Sequence, residues 1–163
     1  KSIADYAFQG CRNMKSIRIP ESILTSGESA FDSCHSLDAV LHLSGVKVIE
    51  KNVFADCMQL KKVVIGSGIT KICSGAFCAC VSLKEIVISE GVREIDSWAF
   101  GRCDSLERIT LPSGLETIAP DAFKDCNRVV QVNIPSGTSE YYAKFDALKK
   151  FRWRFVECDT LSK

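Results

Sequence analysis

The 163-residue sequence has few of the residues and patterns on which several large classes of protein depend. It contains two histidines, and its 21 lysines and arginines nearly balance 20 aspartates and glutamates, which leaves a net charge of +1. Because no basic patch is clustered along the chain, binding to a nucleic-acid backbone or to an anionic membrane surface is not indicated. No apolar run approaches the roughly 20 residues of a membrane-spanning helix. We therefore expect no nucleic-acid partner and no membrane insertion.

The N-terminus also lacks the pattern of a secretion signal. The chain begins at Lys1, inside a repeat, and no basic region followed by an apolar one is present. We expect the chain to be the C-terminal part of a larger protein, with any signal lying upstream.

Phenylalanine and cysteine recur with a period of 23 residues, without insertion or deletion. A cysteine stands three residues after each phenylalanine of the series. The pairs are Phe8 and Cys11, Phe31 and Cys34, Phe54 and Cys57, Phe77 and Cys80, Phe100 and Cys103, and Phe123 and Cys126. A period of this length, repeated six times, predicts a solenoid of six coils.

Aliphatic columns between these pairs predict how each coil is built. An L-x-x-I-x-I segment alternates with the period of a half-buried strand, a glycine column follows, and V-x-x-I predicts a second extended piece. The Ala-Phe-x-x-Cys segment suits a helical turn that faces inward. Stacking the coils at the strand spacing of about 4.8 Å joins each column into a core ladder. We predict a parallel sheet along the concave side.

Two positions break the columns within the repeats, and the last coil loses the pattern. His42 and Ser26 occupy columns that are otherwise aliphatic, and Leu43 falls one position late. Thr138 and Tyr141 replace aliphatic residues in the final coil.

An exposed core at the end of a solenoid requires a cap. Residues 138–163 are rich in aromatic residues, and Tyr142, Phe145 and Leu148 fit an amphipathic helical turn laid over the open end. We predict a solenoid over residues 1–137, with an incomplete first coil, and a C-terminal aromatic cap over residues 138–163.

The repeat I-x-x-x-A-F-x-x-C-x-x-L-x-x-I-x-I-P-x-x-V resembles the BspA-like leucine-rich repeats of bacterial and some protist surface proteins. The match runs from Ile3 to about Pro135 and is fullest between Ala99 and Pro112. The resemblance implies a curved leucine-rich-repeat solenoid, of the α/β or mainly β repeat class, that is secreted or lies at a cell surface. It also implies adhesion to host matrix or serum proteins, or to other microbes. It implies no catalytic residue, and it carries no ligand motif onto numbered positions of this chain.

The cysteines are candidates for metal or disulfide chemistry. Those of the ladder recur with the core columns, where a thiol packs as a small apolar group, so we expect them to be reduced and buried. Cys73, Cys78 and Cys158 lie off the ladder. A Cys73–Cys78 disulfide and two partly exposed thiols both remain possible, and the spacing matches no common zinc pattern. We expect no bound metal and no cofactor.

Catalysis has little support from the remaining residues. Nucleophilic catalysis through a histidine would need His35 or His42, and we interpret these as a solvated side chain and a residue of a core column. No pair of carboxylates stands out from ordinary surface charge. We therefore expect no enzymatic activity.

The outward positions of the concave strands are the most informative surface. Residues that flank the buried Ile/Val column point outward by the two-residue period of a strand. Our candidate ligand-binding residues are Arg18, Leu41, Lys62, Val64, Glu85, Val87, Arg108 and Thr110. Within this set, Leu41, Val64 and Val87 form an apolar stripe over three coils. The stripe is either a recognition surface or a result of strand propensity.

The sequence favours a non-catalytic protein-binding module of a secreted or surface protein, which uses the concave sheet to hold a host matrix, serum or microbial surface protein. Two alternatives stay open. The chain could be a structural spacer in a larger surface protein, or a metal protein or enzyme built on the extra cysteines.

Overall fold

The computed structural model describes residues 1–41 and 45–159, which stack the 23-residue repeats as coils of a solenoid. Equivalent residues of successive coils are parallel strand partners, as Ile17 and Val40 are in the first coils and Ile86 and Ile109 are in later ones. Each pair lies 23 positions apart because one coil returns the chain to the same place in the stack. The predicted repeat solenoid is confirmed.

Two strand columns run along the solenoid, one from each extended piece of the repeat. In chain order the strands are β1 (Ser16–Arg18), β2 (Ala39–Leu41), β3 (Val48–Ile49), β4 (Lys62–Val63), β5 (Lys71–Ile72), β6 (Glu85–Val87), β7 (Glu94–Ile95), β8 (Arg108–Thr110), β9 (Thr117–Ile118), β10 (Gln131–Pro135) and β11 (Phe155–Cys158). The V-x-x-I pieces form the sheet β3-β5-β7-β9. The L-x-x-I-x-I pieces form the sheet β1-β2-β4 and, together with the C-terminal strand β11, the sheet β6-β8-β10-β11.

The Ala-Phe-x-x-Cys segment faces inward as predicted, but it consists of successive turns and not of a helix. Alternate backbone N–H groups donate to the next coil, as Phe77 does to Ala99 O and Ala79 does to Gly101 O, both at 2.8 Å. The intervening N–H of Cys78 closes a turn to Gly75 O at 2.9 Å. Ala79 has a φ of 57°. This left-handed conformation directs alternate peptide groups along the stack, which a continuous helical turn would not allow.

Ladders of identical side chains fill the interior. The six repeat phenylalanines stack as near-parallel rings, with centroid separations between 5.2 Å for Phe8 and Phe31 and 5.5 Å for Phe54 and Phe77. Five ladder cysteines are buried, and each of their thiols donates a hydrogen bond to the carbonyl of a phenylalanine in the preceding coil. The expectation of buried ladder thiols fails at Cys11, which lies in the first coil and is exposed.

The C-terminal segment covers the last coil with two short helices and a strand. Helix α1 spans Ser139–Ala143, and a 3-10 helix spans Asp146–Arg154. The predicted helical turn is divided between them, because Tyr142 lies in α1 whereas Leu148 lies in the 3-10 helix, and both are fully buried. Strand β11 then pairs with β10 and continues the 23-residue register, with Phe155 opposite Val132. Our sequence analysis does not predict this strand.

The two departures from the columns have different outcomes. Ser26 is buried, as Ile49, Ile72, Ile95 and Ile118 of its column are. The interpretations of His42 and Leu43 lie outside the described residues.

Candidate functional site

The outward side of the column β1, β2, β4, β6, β8, β10 and β11, here called the strand face, carries the candidate residues. Side chains alternate along each strand, so that Val63, Ile86 and Ile109 are buried while their neighbours point away from the core. The outward neighbours Val64 and Val87 are 38% and 43% exposed. Two branched apolar side chains in adjacent coils are therefore open to solvent.

An open groove of about 510 Å³ lies over these two valines. Lys62, Glu85 and Arg108 contribute to its lining. The groove coincides with the break between the two sheets, since β4 pairs with β2 and β6 pairs with β8. No pairing between β4 and β6 occurs in the part of the chain that the structure describes. The groove thus lies where the strand column is interrupted.

One ion pair neutralises part of the groove. Arg108 donates from Nε and Nη2 to Oε2 of Glu85, at 3.0 and 2.7 Å. This hydrogen bond, together with the charge of Glu85, raises the pKa of Arg108 above its ordinary value. Because both charges belong to neighbouring strands, the pair bridges β6 and β8 and leaves no net charge there.

Two lysines that our sequence analysis missed also line the groove. Lys61 and Lys84 each stand one position before the strand segments that supplied the candidate residues. Lys61 and Lys84 lie 23 positions apart, in one repeat column. This shared column is the feature of the sequence that could have identified them as neighbours on one surface. Both are exposed, as Lys62 is, and among the described residues none of the three forms an ion pair with a carboxylate.

The structure brings five of the eight candidate residues together in one groove, places two outside it, and does not describe the side chain of the eighth. Arg18 is exposed on β1, away from the groove. Thr110 is half-buried on β8, where its Oγ1 accepts a hydrogen bond from Asn133 Nδ2 at 3.0 Å. Leu41 ends β2, and its side chain lies outside the described part of the structure. The five that line the groove are Lys62, Val64, Glu85, Val87 and Arg108.

The cysteines off the ladder are not joined in disulfides, and two of them are partly buried. Cys73 and Cys78 are half-buried, Cys158 is exposed, and all three thiols are free. Burial, with a smaller contribution from the carboxylate of Glu50, raises the pKa of Cys73 to about 11. Burial likewise raises the pKa of Cys78. A thiol that stays protonated at neutral pH is a weak nucleophile and a weak metal ligand.

Residues 1–41 and 45–159 hold neither a cluster of metal-ligating side chains nor a membrane-spanning helix. No three histidine, cysteine, aspartate or glutamate side chains in these ranges lie together in an arrangement that could hold a metal ion. No helix there is both long enough and apolar enough to cross a membrane.

The repeat, the strand columns and the ladders allow the chain to be compared with known proteins. The family model of the BspA type leucine rich repeat region matches in six copies, over residues 1–103 and 47–146. The chain belongs to the BspA-type leucine-rich repeat family. The resemblance noted in the sequence is thereby confirmed.

Solved structures of bacterial leucine-rich repeat proteins share the fold. The match to one from Bacteroides ovatus has 36% identity and a TM-score of 0.76, and it covers 81% of this chain but 34% of that protein. The match to the leucine rich repeat protein of T. pallidum has 26% identity and a TM-score of 0.79, covering 98% and 80% of the two chains.

A leucine rich cell surface protein from Faecalibacterium prausnitzii is a more distant match. It has 23% identity and a TM-score of 0.58, covers 89% of this chain and 54% of that one, and shows the fold alone. For comparison, the chain spans about a third of the length of the Bacteroides ovatus protein described above. No curated protein sequence matches the chain.

Proposed function

We propose that this chain is a non-catalytic protein-binding module of a secreted or cell-surface protein, and that it holds its partner on the strand face. Leucine-rich repeats are general protein-interaction modules, and the strand face presents outward side chains from successive coils. The partner class is a host matrix or serum protein, or a protein on another microbe. The binding residues are the eight named from the sequence, with the groove at their centre.

The observation that carries the proposal is the exposure of Val64 and Val87 side by side within a groove. Apolar side chains that adjoin one another on the outward side of a sheet are favoured where another surface will cover them. The charged residues at the sides of the groove supply the polar rim that surrounds the apolar centre of a protein interface.

The test is a binding screen with a matched pair of variants. The chain is immobilised, and a panel of purified matrix, serum and bacterial surface proteins is passed over it. We expect Val64→Asp to abolish capture of the partner, because it places a charge on the apolar floor of the groove. Val130→Asp is the control: Val130 is 64% exposed, and it is not part of the groove lining.

Circular dichroism and thermal melting must show that both variants remain folded. Equal capture by Val64→Asp and the unmodified chain would contradict the proposal. Failure of the whole panel to bind would favour the alternative, a spacer that positions another domain.

A further inference from the structure

The charges in the groove are unevenly balanced, and the imbalance follows from one ion pair. Glu85 is the acidic residue of the lining, and both of its short hydrogen bonds on the strand face go to Arg108. Lys62, which precedes Glu85 by one coil in the same column, forms no ion pair with it in the described structure. With Glu85 neutralised by Arg108, the lysines of the lining remain uncompensated.

Three lysines are left at the groove: Lys61, Lys62 and Lys84. Lys61 and Lys84 occupy the same column in adjacent coils, and like charges near one another repel. The carboxylates of that column, Asp38 and Glu107, lie one coil to either side, and neither belongs to the groove lining. The positive stretch is therefore confined to two coils, which lie between acidic neighbours.

The apolar floor coincides with this positive stretch. Val64 and Val87 are exposed in the two coils that carry the lysines. The break between β4 and β6 lies at the same place, so the peptide groups on the two facing edges are not used in pairing with each other. A partner is offered an apolar contact, cationic side chains and a break in the strand column within one groove.

We propose that the groove between β4 and β6 recognises a short acidic segment of the partner protein, in which an aliphatic or aromatic side chain contacts Val64 and Val87 while flanking carboxylates pair with Lys61, Lys62 and Lys84. This proposal rests on the proposed function and specifies the chemistry of its partner. Carboxylates of a ligand would relieve the repulsion between the lysines, and the apolar floor favours a peptide over a purely anionic polymer. Asp38 and Glu107 would repel any acidic run that extends beyond the two coils.

The first experiment uses a phage-displayed library of random decapeptides, selected on the folded chain. We expect enrichment of peptides that combine an aliphatic or aromatic residue with aspartate or glutamate. An enriched peptide is then synthesised with a fluorescent label, and its Kd is measured by anisotropy. Binding should weaken several-fold as the salt concentration rises to about 0.5 M, because the lysines are exposed and screened.

Two sets of variants locate the site. Replacing Lys61, Lys62 and Lys84 together by Glu should weaken binding by about tenfold or more, since each exposed ion pair contributes modestly. The control replaces Lys15, Lys47 and Lys124 by Glu, which changes the net charge equally but outside the groove. Val64→Asp should also prevent binding. Enrichment of neutral or basic peptides, no enrichment, or an equal effect of the control set would each overturn the proposal.

A sulfated polysaccharide is the competing ligand class, and a heparin oligosaccharide serves as its probe. Heparin binding that is lost in the triple-lysine variant but unaffected by Val64→Asp, without any peptide enrichment, would overturn the acidic-peptide proposal. If a panel protein is captured and lost on Val64→Asp while no acidic peptide is selected, the proposed function stands and this inference fails. If neither a panel protein nor an acidic peptide is bound, the proposed function and this inference both fail.

Discussion

Nζ of Lys150 donates a hydrogen bond of 3.1 Å to the backbone carbonyl of Phe123. In the five preceding coils the equivalent phenylalanine carbonyl accepts from the thiol of a ladder cysteine, as Phe100 does from Cys126 at 3.0 Å. The ammonium group of Lys150 therefore makes the hydrogen bond that the thiol of a further coil would make. A side chain of the C-terminal segment completes the hydrogen bonding of the last coil in the cysteine ladder.

This relationship predicts that Lys150→Met destabilises the chain by about 1 kcal/mol, because a charge-assisted hydrogen bond is lost while the side chain keeps its length. The loss is limited because the N–H of Cys126 also donates to Phe123 O, at 3.2 Å. Urea unfolding followed by circular dichroism gives the free energy. Lys149→Met is the control, since Lys149 forms an exposed ion pair with Asp146 and should cost about 0–0.5 kcal/mol. Equal losses of unfolding free energy in Lys150→Met and Lys149→Met would show that the hydrogen bond from Lys150 to Phe123 O does not stabilise the last coil.

The cysteine ladder makes a prediction of its own. Cys80→Ala should lower the free energy of unfolding by about 1–3 kcal/mol, because it leaves a buried cavity and removes the thiol that bonds to Phe54 O at 3.3 Å. Cys11→Ala makes the same chemical change at an exposed position of the same column and should stay within about 0.5 kcal/mol. A large loss at Cys11, or none at Cys80, would contradict the importance of burial.

The ladder thiols also predict an alkaline loss of stability. Burial raises the pKa of Cys57 and Cys80 above the ordinary thiol value of 9.0, so these groups stay protonated in the folded chain. Above about pH 9 the unfolded chain binds fewer protons than the folded chain, and the free energy of unfolding therefore falls as pH rises; below that pH this contribution is constant. Denaturant titrations at pH 7, 8 and 10 measure the slope.

Variants assign the alkaline slope to its source. A double variant with Cys57→Ala and Cys80→Ala should show a smaller slope between pH 8 and 10 than the unmodified chain. Burial also raises the pKa of Tyr142 from its ordinary value of 10.0, so Tyr142→Phe measures the tyrosine contribution separately. An unchanged slope in the double-cysteine variant would show that other groups dominate.

The leucine column tests the stack in its central coils. Leu83 is fully buried, and Leu83→Ala should cost about 2–5 kcal/mol as a truncation of the core. Val130→Ala also truncates an aliphatic side chain, by two carbon atoms where Leu83→Ala removes three. Because Val130 is 64% exposed, the change should leave the melting temperature nearly unchanged. Tolerance of the change at Leu83 would be inconsistent with the ladder that the structure shows.

Much of the fold could be predicted because the repeat places identical residues at identical positions. The spacing of Phe77 and Phe100 implies one coil per 23 residues, and the rings stack at 5.4 Å as that spacing requires. Strand β11 escaped prediction because the residues between Thr138 and Phe155 form two helices and do not continue the phenylalanine, cysteine and leucine columns. The segment from Val132 to Phe155 keeps the 23-residue length of a coil but does not keep the residue pattern of the repeat.

The candidate site could be predicted in part. The two-residue period of a strand is enough to direct Val64 and Val87 outward while Ile86 stays buried, since alternation is a local property of the backbone. Lys61 and Lys84 were missed because they precede the strand segments. Outside a strand, the two-residue period does not predict which way a side chain points. Their place in the groove depends on how two neighbouring coils lie against each other.

By itself the sequence determined the six coils, the inward ladders and the outward candidates, because each follows from local periodicity repeated at a constant interval. Tertiary structure decided where the strand column breaks between β4 and β6, which carboxylate neutralises Arg108, and that Lys150 completes the last coil. Each of these features depends on the distance between residues of different coils. A periodic pattern in the sequence does not specify that distance. The candidate groove therefore became visible only when the coils were stacked.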